Sequence, residues 1–415
     1  MLIAHNPVAN SGEILKRFAE ARAESDRLFA IVRPDALYER PIADRHRILF
    51  YLGHLEAFEG NLLRETVGGM PSFHPEFDRL FAFGIDPVGT ALPSDLAEEW
   101  PALDEVREYN QRLRDQIDAR AIADPQLLNV AIEHRLMHCE TLAYMLHRLP
   151  LEQKLPPPTA PLTFINSPLQ PGVVDISAGS AILGLSSSSG TFGWDNEFEA
   201  HAVVLPAFTI DQYKVTNAQY LEFMQSGGYE NPRLWTDADW NWKSANNITH
   251  PAFWRRSGEA WRYRAMFEEI PLPAAWPVYV SHAEASAYAR WARKRLLTEA
   301  QWQRAAQGSV PVGNSDFKSW NPTPVNAFPA TASASGAVEM IGNGWEWTST
   351  VFTPFAGFEP LPFYPGYSAN FFDGRHYVMK GGSPRTAASM LRPSFRNWFQ
   401  PHYPYVYAGF RCVDS

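Results

Sequence analysis

This chain predicts an α+β multidomain protein: a four-helix bundle over residues 1–155, a linker over 156–172, and an irregular, aromatic-rich domain over 173–415. Three observations predict it. Apolar residues recur at helical spacing only before Pro150. A stiff Pro156-Pro157-Pro158 run follows. The 14 Trp, 16 Tyr and 26 Phe, with 34 Pro and 26 Gly, are spread unevenly, and short β-like runs between Gly and Pro turns fill the second half. At 415 residues the chain also exceeds what one core usually holds.

The first helix is expected from about Ser11 to Val32, where Ile14, Leu15, Phe18, Leu28, Phe29 and Ile31 keep one stripe and Pro34 closes it. The second is expected from Asp44 to Leu62, on Ile48, Leu49, Leu52, Leu55 and Phe58. The third, Pro101 to Ile117, buries Leu103, Val106, Leu113 and Ile117 and leaves Arg107, Arg112 and Arg114 on a solvated face. Pro125 opens the fourth, which runs to His147 before Pro150. Four such segments argue a bundle. The connection from Gly68 to Pro93 carries Phe73, Phe77, Phe81 and Phe83, and its length marks a functional or packing loop. In the second half, helices are expected over Asn217–Gln225 and Ser281–Lys294, the latter with a Ser281/Glu284 capping box, and a short one near Thr298 and Gln301. Strand-like runs are Ala202–Phe208 and Tyr377–Lys380. A domain so poor in long elements must be held by buried turns and by side chains bonded to backbone.

Composition excludes several functions. Net charge is −9 and no cationic run exceeds Arg293-Lys294-Arg295, so no nucleic-acid partner is expected. No stretch reaches a membrane-spanning length of apolar residues and the N-terminus has no signal-peptide pattern, so a cytoplasmic protein without a membrane partner is expected. Two cysteines, Cys139 and Cys412, leave no disulfide framework and no cysteine-rich metal site.

The sharpest chemistry lies in the fourth helix. His134 and His138 are one turn apart, so both imidazoles leave the same face. His54 on the second helix has apolar and glycine neighbours and points inward, where a lone neutral imidazole would be costly. Three imidazoles from two helices converge on a divalent ion with open positions, and zinc and ferrous iron both suit them. His46 shares roughly the face of His54 and is a rival ligand, although Asp44, Arg45 and Arg47 around it look wet. Cys139 points away and packs; Glu140 is an acceptor behind the site or an arginine partner.

Ordered motifs carry a resemblance. His54 with His134-x-x-x-His138-x-Glu140 looks like a DinB-type bundle. The second half resembles the formylglycine-generating-enzyme, or C-type-lectin-like, domain. Its signatures are Tyr213-x-Val215-Thr216-Asn217, Thr298-Glu299-Ala300-x-Trp302, Gly342-Asn343-Gly344-Trp345-Glu346-Trp347, Gly381-Gly382-Ser383, Arg396-Asn397-Trp398 and Gly409-Phe410-Arg411. The fusion resembles the ergothioneine and selenoneine synthase family of non-haem iron enzymes, which use dioxygen to join sulfur or selenium to the imidazole C2 of hercynine (N-trimethylhistidine). That resemblance implies Fe(2+) on His54, His134 and His138, and a hercynine pocket drawing on Asn397 and Trp398, in a cleft between the domains. An amide suits the substrate carboxylate and an aromatic face its trimethylammonium.

Departures from the family pattern point to the donor. Met137 stands where the mycobacterial-type enzyme has Gln, and Phe399 where it has an Asp that helps hold the amino group of glutamyl-cysteine. The family's Arg pair has no counterpart between Phe81 and Glu98, and Arg79 stands alone just before that stretch. The donor implied is smaller or less charged: a selenosugar, or a small thiol such as cysteine. Phe363, Phe399, Tyr364, Tyr367, Tyr403 and Tyr405 give a hydroxyl-rich aromatic environment on which a sugar ring stacks. The family's catalytic Tyr lies on the loop where this chain offers Tyr364 and Tyr367. A formylglycine-generating oxidase needs a Cys pair in this domain, where only Cys412 stands; a bundle thiol transferase would not need the second domain; a lectin-like binding module leaves the three histidines unexplained.

Overall fold

The computed structural model describes residues 11–66, 68–85, 92–120, 124–158 and 169–414. The chain divides into two compact units, Met1–Thr159 and Ala160–Ser415. Of the Pro-rich linker expected over 156–172, residues 159–168 lie outside the described ones.

Unit one has four long helices: α1 (Ser11–Ala30), α2 (Ile48–Thr66), α4 (Leu103–Asp118) and α5 (Pro125–Arg148), with a shorter α3 (Pro75–Phe83) between α2 and α4. Helix α1 packs on α5, and α2 on α3, α4 and α5. Their stripes form one core, with Leu28, Ile48, Leu49, Val106, Leu113 and Leu142 fully buried. Helix α5 begins where the Asp124 carboxylate accepts from the Gln126 N–H, with Pro125 in the first turn.

Two expectations are corrected here. Helix α2 starts at Ile48, not Asp44, because Arg47 bonds the Tyr38 carbonyl and the Asp95 carboxylate while the Ile48 N–H bonds Glu39 O. The Gly68–Pro93 connection is not all loop. His74 caps α3 by accepting from the Phe77 N–H, Pro75 occupies its first turn, and Gly84 ends it at φ +73°.

Unit two contains two four-stranded sheets. One orders Val173–Ile176, Phe208–Asp211, Cys412–Asp414 and Lys294–Leu296. The other orders Asn397–Phe399, Tyr377–Lys380, Trp345–Val351 and Ala408–Gly409, with Asn397–Phe399 at its edge. Four helices accompany them: α6 (Asn217–Gln225), α7 (Asp237–Ala245), α8 (His282–Trp291) and α9 (Glu299–Ala305). Thr216, Ser281 and Thr298 cap α6, α8 and α9, each answered by a Glu or Gln three residues on. Helix α8 ends at Trp291, three residues short of the expected Lys294, which instead begins a strand. Helix α7 has no apolar stripe to betray it; the Thr236 hydroxyl accepts from the Asp239 N–H and starts it.

The motif residues of unit two are internal ties. Arg396 grips the Glu299 carboxylate at 2.9 and 3.1 Å, and Arg411 grips Glu346 at 2.8 and 3.0 Å. Asn343, at φ +59°, donates to Thr323 O and to the Glu339 carboxylate. Such pairs satisfy the backbone and fix loops where ladders are short. Among the described residues no helix is long and apolar enough to cross a membrane.

Candidate metal centre

Helix α2 supplies His54 and helix α5 supplies His134 and His138. One ring nitrogen from each lies within 4.8 Å of the others, and these three are the one such group found among the described residues. Ring centroids are 5.2 Å apart for His54 and His134, 4.9 Å for His54 and His138, and 4.5 Å for His134 and His138. His54 Nδ1–H donates to the Phe81 carbonyl at 2.7 Å, which leaves Nε2 with its lone pair. The His54 ring stacks on Phe50 at 4.8 Å, and His134 on Phe58 at 3.4 Å.

Burial holds all three imidazoles neutral. His54 falls to about 4, chiefly by desolvation, and His134 and His138 fall well below the ordinary value for the same reason, with nearby imidazoles adding to it. The neutral ring is the form that binds a metal, so no proton need leave at neutral pH. His138 Nδ1 is buried and has no hydrogen-bond partner among the described residues. Three converging neutral donors, one with an orphaned buried nitrogen, fit a divalent transition-metal ion.

His46 lies outside this group and packs tilted against Phe50, with ring centroids 4.1 Å apart. Of its flanks, Asp44 is exposed as expected, whereas Arg45 and Arg47 are half-buried: Arg45 bonds the Tyr144 hydroxyl at 2.8 Å and Arg47 the Asp95 carboxylate at 2.8 Å. Cys139 is fully buried, as its packing role requires. Glu140 is buried and Met137 half-buried, on either side of His138.

Beside the imidazoles runs a buried ionic layer that the sequence reading missed. Arg135, 1% exposed, donates from Nε to Glu59 at 2.6 Å and from its other nitrogens to Glu56, Ser25 Oγ and Leu55 O. Arg22 also holds Glu59. Arg114, expected on a solvated face, instead bridges Glu56 at 2.6 Å and Asp26 at 2.7 Å. Burial pushes the Glu56 carboxyl up, but Arg135 and Arg114 outweigh it and hold it at about 2. His54, Glu56 and Glu59 share α2 while His134 and Arg135 are neighbours on α5, so these ion pairs fix the two histidine-bearing helices against each other.

In unit two the predicted residues Asn397, Trp398 and Phe399 form one edge strand, and the predicted aromatics pack against its two faces. Met379 pairs with Asn397, Val378 with Trp398 and Tyr377 with Phe399. Side chains alternate along a strand, so Asn397 and Phe399 share one face and Trp398 takes the other. Trp398 stacks on Phe352 at 4.2 Å and meets Tyr367 edge-on at 5.4 Å. Tyr367 stacks on the fully buried Trp194 at 3.9 Å, and Tyr364 lies 5.8 Å from Tyr367. On the opposite face Phe399 stacks on Tyr403 at 5.1 Å, and Tyr403 meets Tyr405 edge-on. Phe363 is half-buried just before Tyr364.

Asp195 was also missed, since nothing in Trp194-Asp195-Asn196 stands out as a motif. It is buried, accepts from the Ser368 hydroxyl, and leaves Oδ2 without a hydrogen bond among the described residues. Burial pushes its carboxyl up, and burial with the Asp195 charge raises the Tyr364 phenol.

Two family descriptions match separate parts of the chain. Residues 17–147 match the DinB superfamily, and residues 163–415 match the sulfatase-modifying factor enzyme 1-like domain. The chain is 36% identical to the hercynine oxygenase of Mycolicibacterium smegmatis over 72% of this chain and 74% of that protein. It is 36% identical to the hercynine oxygenase of Mycolicibacterium thermoresistibile over 70% of this chain and 69% of that protein. With ergothioneine biosynthesis protein 1 of Neurospora crassa it shares 28% identity over 91% of this chain, which spans about half of that longer protein (55%).

Proposed function

This chain belongs to the hercynine oxygenase family, and we propose on that footing that it is a non-haem iron, dioxygen-dependent synthase acting on imidazole C2 of hercynine, with a selenosugar as its donor and a C–Se bond as its product. The observation that carries the iron reading is the group His54, His134 and His138, three neutral imidazoles with nitrogens within 4.8 Å of one another. When bound there, ferrous iron supplies a site at which dioxygen and a soft selenium or sulfur anion can be activated together.

The chain's own residues do the rest. Phe50 and Phe58 pack on the imidazoles and keep water from their faces. Hercynine is assigned to the Asn397–Phe399 strand at the edge of its sheet. Trp398, with one face stacked on Phe352 and Tyr367 set edge-on beside it, offers its other π-face to the trimethylammonium, which has no proton to donate. The Asn397 amide donates to its carboxylate. Tyr364 or Tyr367 holds the proton for the reaction; burial keeps the Tyr364 phenol protonated.

The selenosugar is favoured by what surrounds Phe399: the stacked Tyr403 and adjoining Tyr405 offer a ring surface and hydroxyls in place of a charge partner. A second reading has its own support. The fungal relative is an ergothioneine biosynthesis protein, which favours a thiol donor such as cysteine and a sulfoxide product. Competition separates them. Iron-loaded chain receives hercynine, oxygen and equal selenosugar, cysteine and glutamyl-cysteine, and products are identified by mass. Selenium incorporation at the highest specificity constant supports the first reading; preference for cysteine replaces it with the second. No product from any donor removes both.

A further inference from the structure

We propose that the short helix α3 is the lock of the metal centre: its Phe81 carbonyl fixes the His54 ring, and Gly53 is the contact that lets α3 come close enough to do so. The proposal rests on the three-histidine metal site and adds an element of the chain outside it.

A ligating imidazole needs its second nitrogen held, because that bond sets both the tautomer and the ring orientation. For His54 the holder is a backbone carbonyl, Phe81 O, at 2.7 Å. It belongs neither to α2 nor to α5, the helices that carry the ligands, but to the last turn of α3. The geometry of the centre therefore depends on where α3 docks.

Two features set that docking. The Phe81 ring, fully buried, lies against the backbone at Gly53, the residue before His54. A Cβ at position 53 would meet three atoms of the ring at 2.4 to 2.5 Å. Ordinary carbon contacts are about 3.5–4.0 Å, so any larger residue must drive the ring back by about 1 Å. Ring and carbonyl belong to one residue, and such a retreat carries the 2.7 Å bond out of hydrogen-bonding range. The second feature is Asp78 on α3, which accepts from the Tyr109 hydroxyl of α4 at 2.7 Å and pairs with Arg64 of α2 at 3.1 Å. Helix α3 is thus tied to both neighbours by Asp78 and seated by the Phe81–Gly53 contact.

Metal binding and α3 docking are then linked, and linkage is reciprocal: what loosens α3 weakens the metal, and the metal steadies α3. Losing a hydrogen bond behind a ligating histidine typically lowers metal affinity by about 10–100-fold.

The test uses the full-length chain, anaerobic ferrous iron in competition with a chromophoric chelator, and amide hydrogen exchange with and without iron. In wild type, iron should slow exchange in Pro75–Phe83. Gly53→Ala should bind iron about 10–100-fold more weakly and lose that protection, with the exchange of unit two unchanged. Adding Phe81→Leu to Gly53→Ala makes room for the new Cβ while keeping the carbonyl, and should restore most of the affinity. Wild-type affinity in Gly53→Ala, or no effect of iron on Pro75–Phe83, overturns the proposal while leaving the metal site intact. Should Gly53→Ala fail to fold, Asp78→Asn loosens α3 through its other tie; the same drop supports the proposal and unchanged affinity overturns it. A wild-type chain that takes no iron overturns the metal reading itself.

Discussion

Replacing Arg135 by Met removes the centre of the ionic layer beside the three histidines while nearly preserving its volume. Arg135 is 1% exposed and contacts Glu59, Glu56, Ser25 and the Leu55 carbonyl. Removing one partner of a buried ion pair costs about 3–5 kcal/mol, because the other charge stays behind. Glu56 keeps Arg114 and Glu59 keeps Arg22, which places the cost at the low end, near 3 kcal/mol. The two units can unfold separately, so a whole-chain melting curve is a poor probe. Amide exchange of α2 and α5 reads the bundle alone. At about 1.4 kcal/mol per factor of ten, Arg135→Met should speed their slowest amides by about a hundredfold or more. Acceleration below about fivefold, or roughly 1 kcal/mol, would refute the view that this layer clamps α2 to α5. Adding Glu59→Met should recover part of the loss, since Arg22 retains Asp118.

Further perturbations address unit two. Burial raises the Glu339 carboxyl from 4.5 to about 7. Its folded value exceeds its unfolded one, so its stability contribution is full below about 4.5 and is lost as pH rises to about 7, an effect of about 3 kcal/mol; urea midpoints of unit two, read by tryptophan fluorescence since every Trp but Trp100 lies there, should fall more steeply over this range in wild type than in Glu339→Gln. Trp398→Ala should weaken hercynine binding by about 1–2 kcal/mol if its face holds the trimethylammonium, and titration calorimetry with histidine beside hercynine would show whether the loss follows the methyl groups. Phe399→Asp should lower the specificity constant for the sugar donor and raise it for amino-thiols; unchanged ratios would show that Phe399 does not face the donor.

The long helices were legible because the bundle buries one stripe of each: Ile48, Leu49, Val106, Leu113 and Leu142, which line the core, stand at helical spacing in the sequence. The three-histidine group was legible for a local reason, since His134 and His138 share a helix face. Helix α3 was hidden inside a connection taken for a loop on its length; Pro75 stands in its first turn and Gly84 ends it. Helix α7 was hidden because its Asp, Trp and Asn residues form no apolar face. The ionic layer could not be read at all. Arg135 and Glu59 stand 76 residues apart, and only the packing of α2 on α5 makes them partners. The same holds for Phe81 O, a backbone atom that carries no sequence signature. In unit two, Glu299, Glu346, Arg396 and Arg411 stood out as motif letters; the fold shows them as paired ties rather than reacting groups.

The central claim, that His54, His134 and His138 form one iron site, is tested most directly by metal stoichiometry. The full-length chain is loaded anaerobically with ferrous iron, freed of excess, and its iron measured against protein. One iron per chain is expected, lost on His134→Ala and absent from the variant with His54, His134 and His138 all replaced by Ala. Full iron occupancy in that triple variant would contradict it.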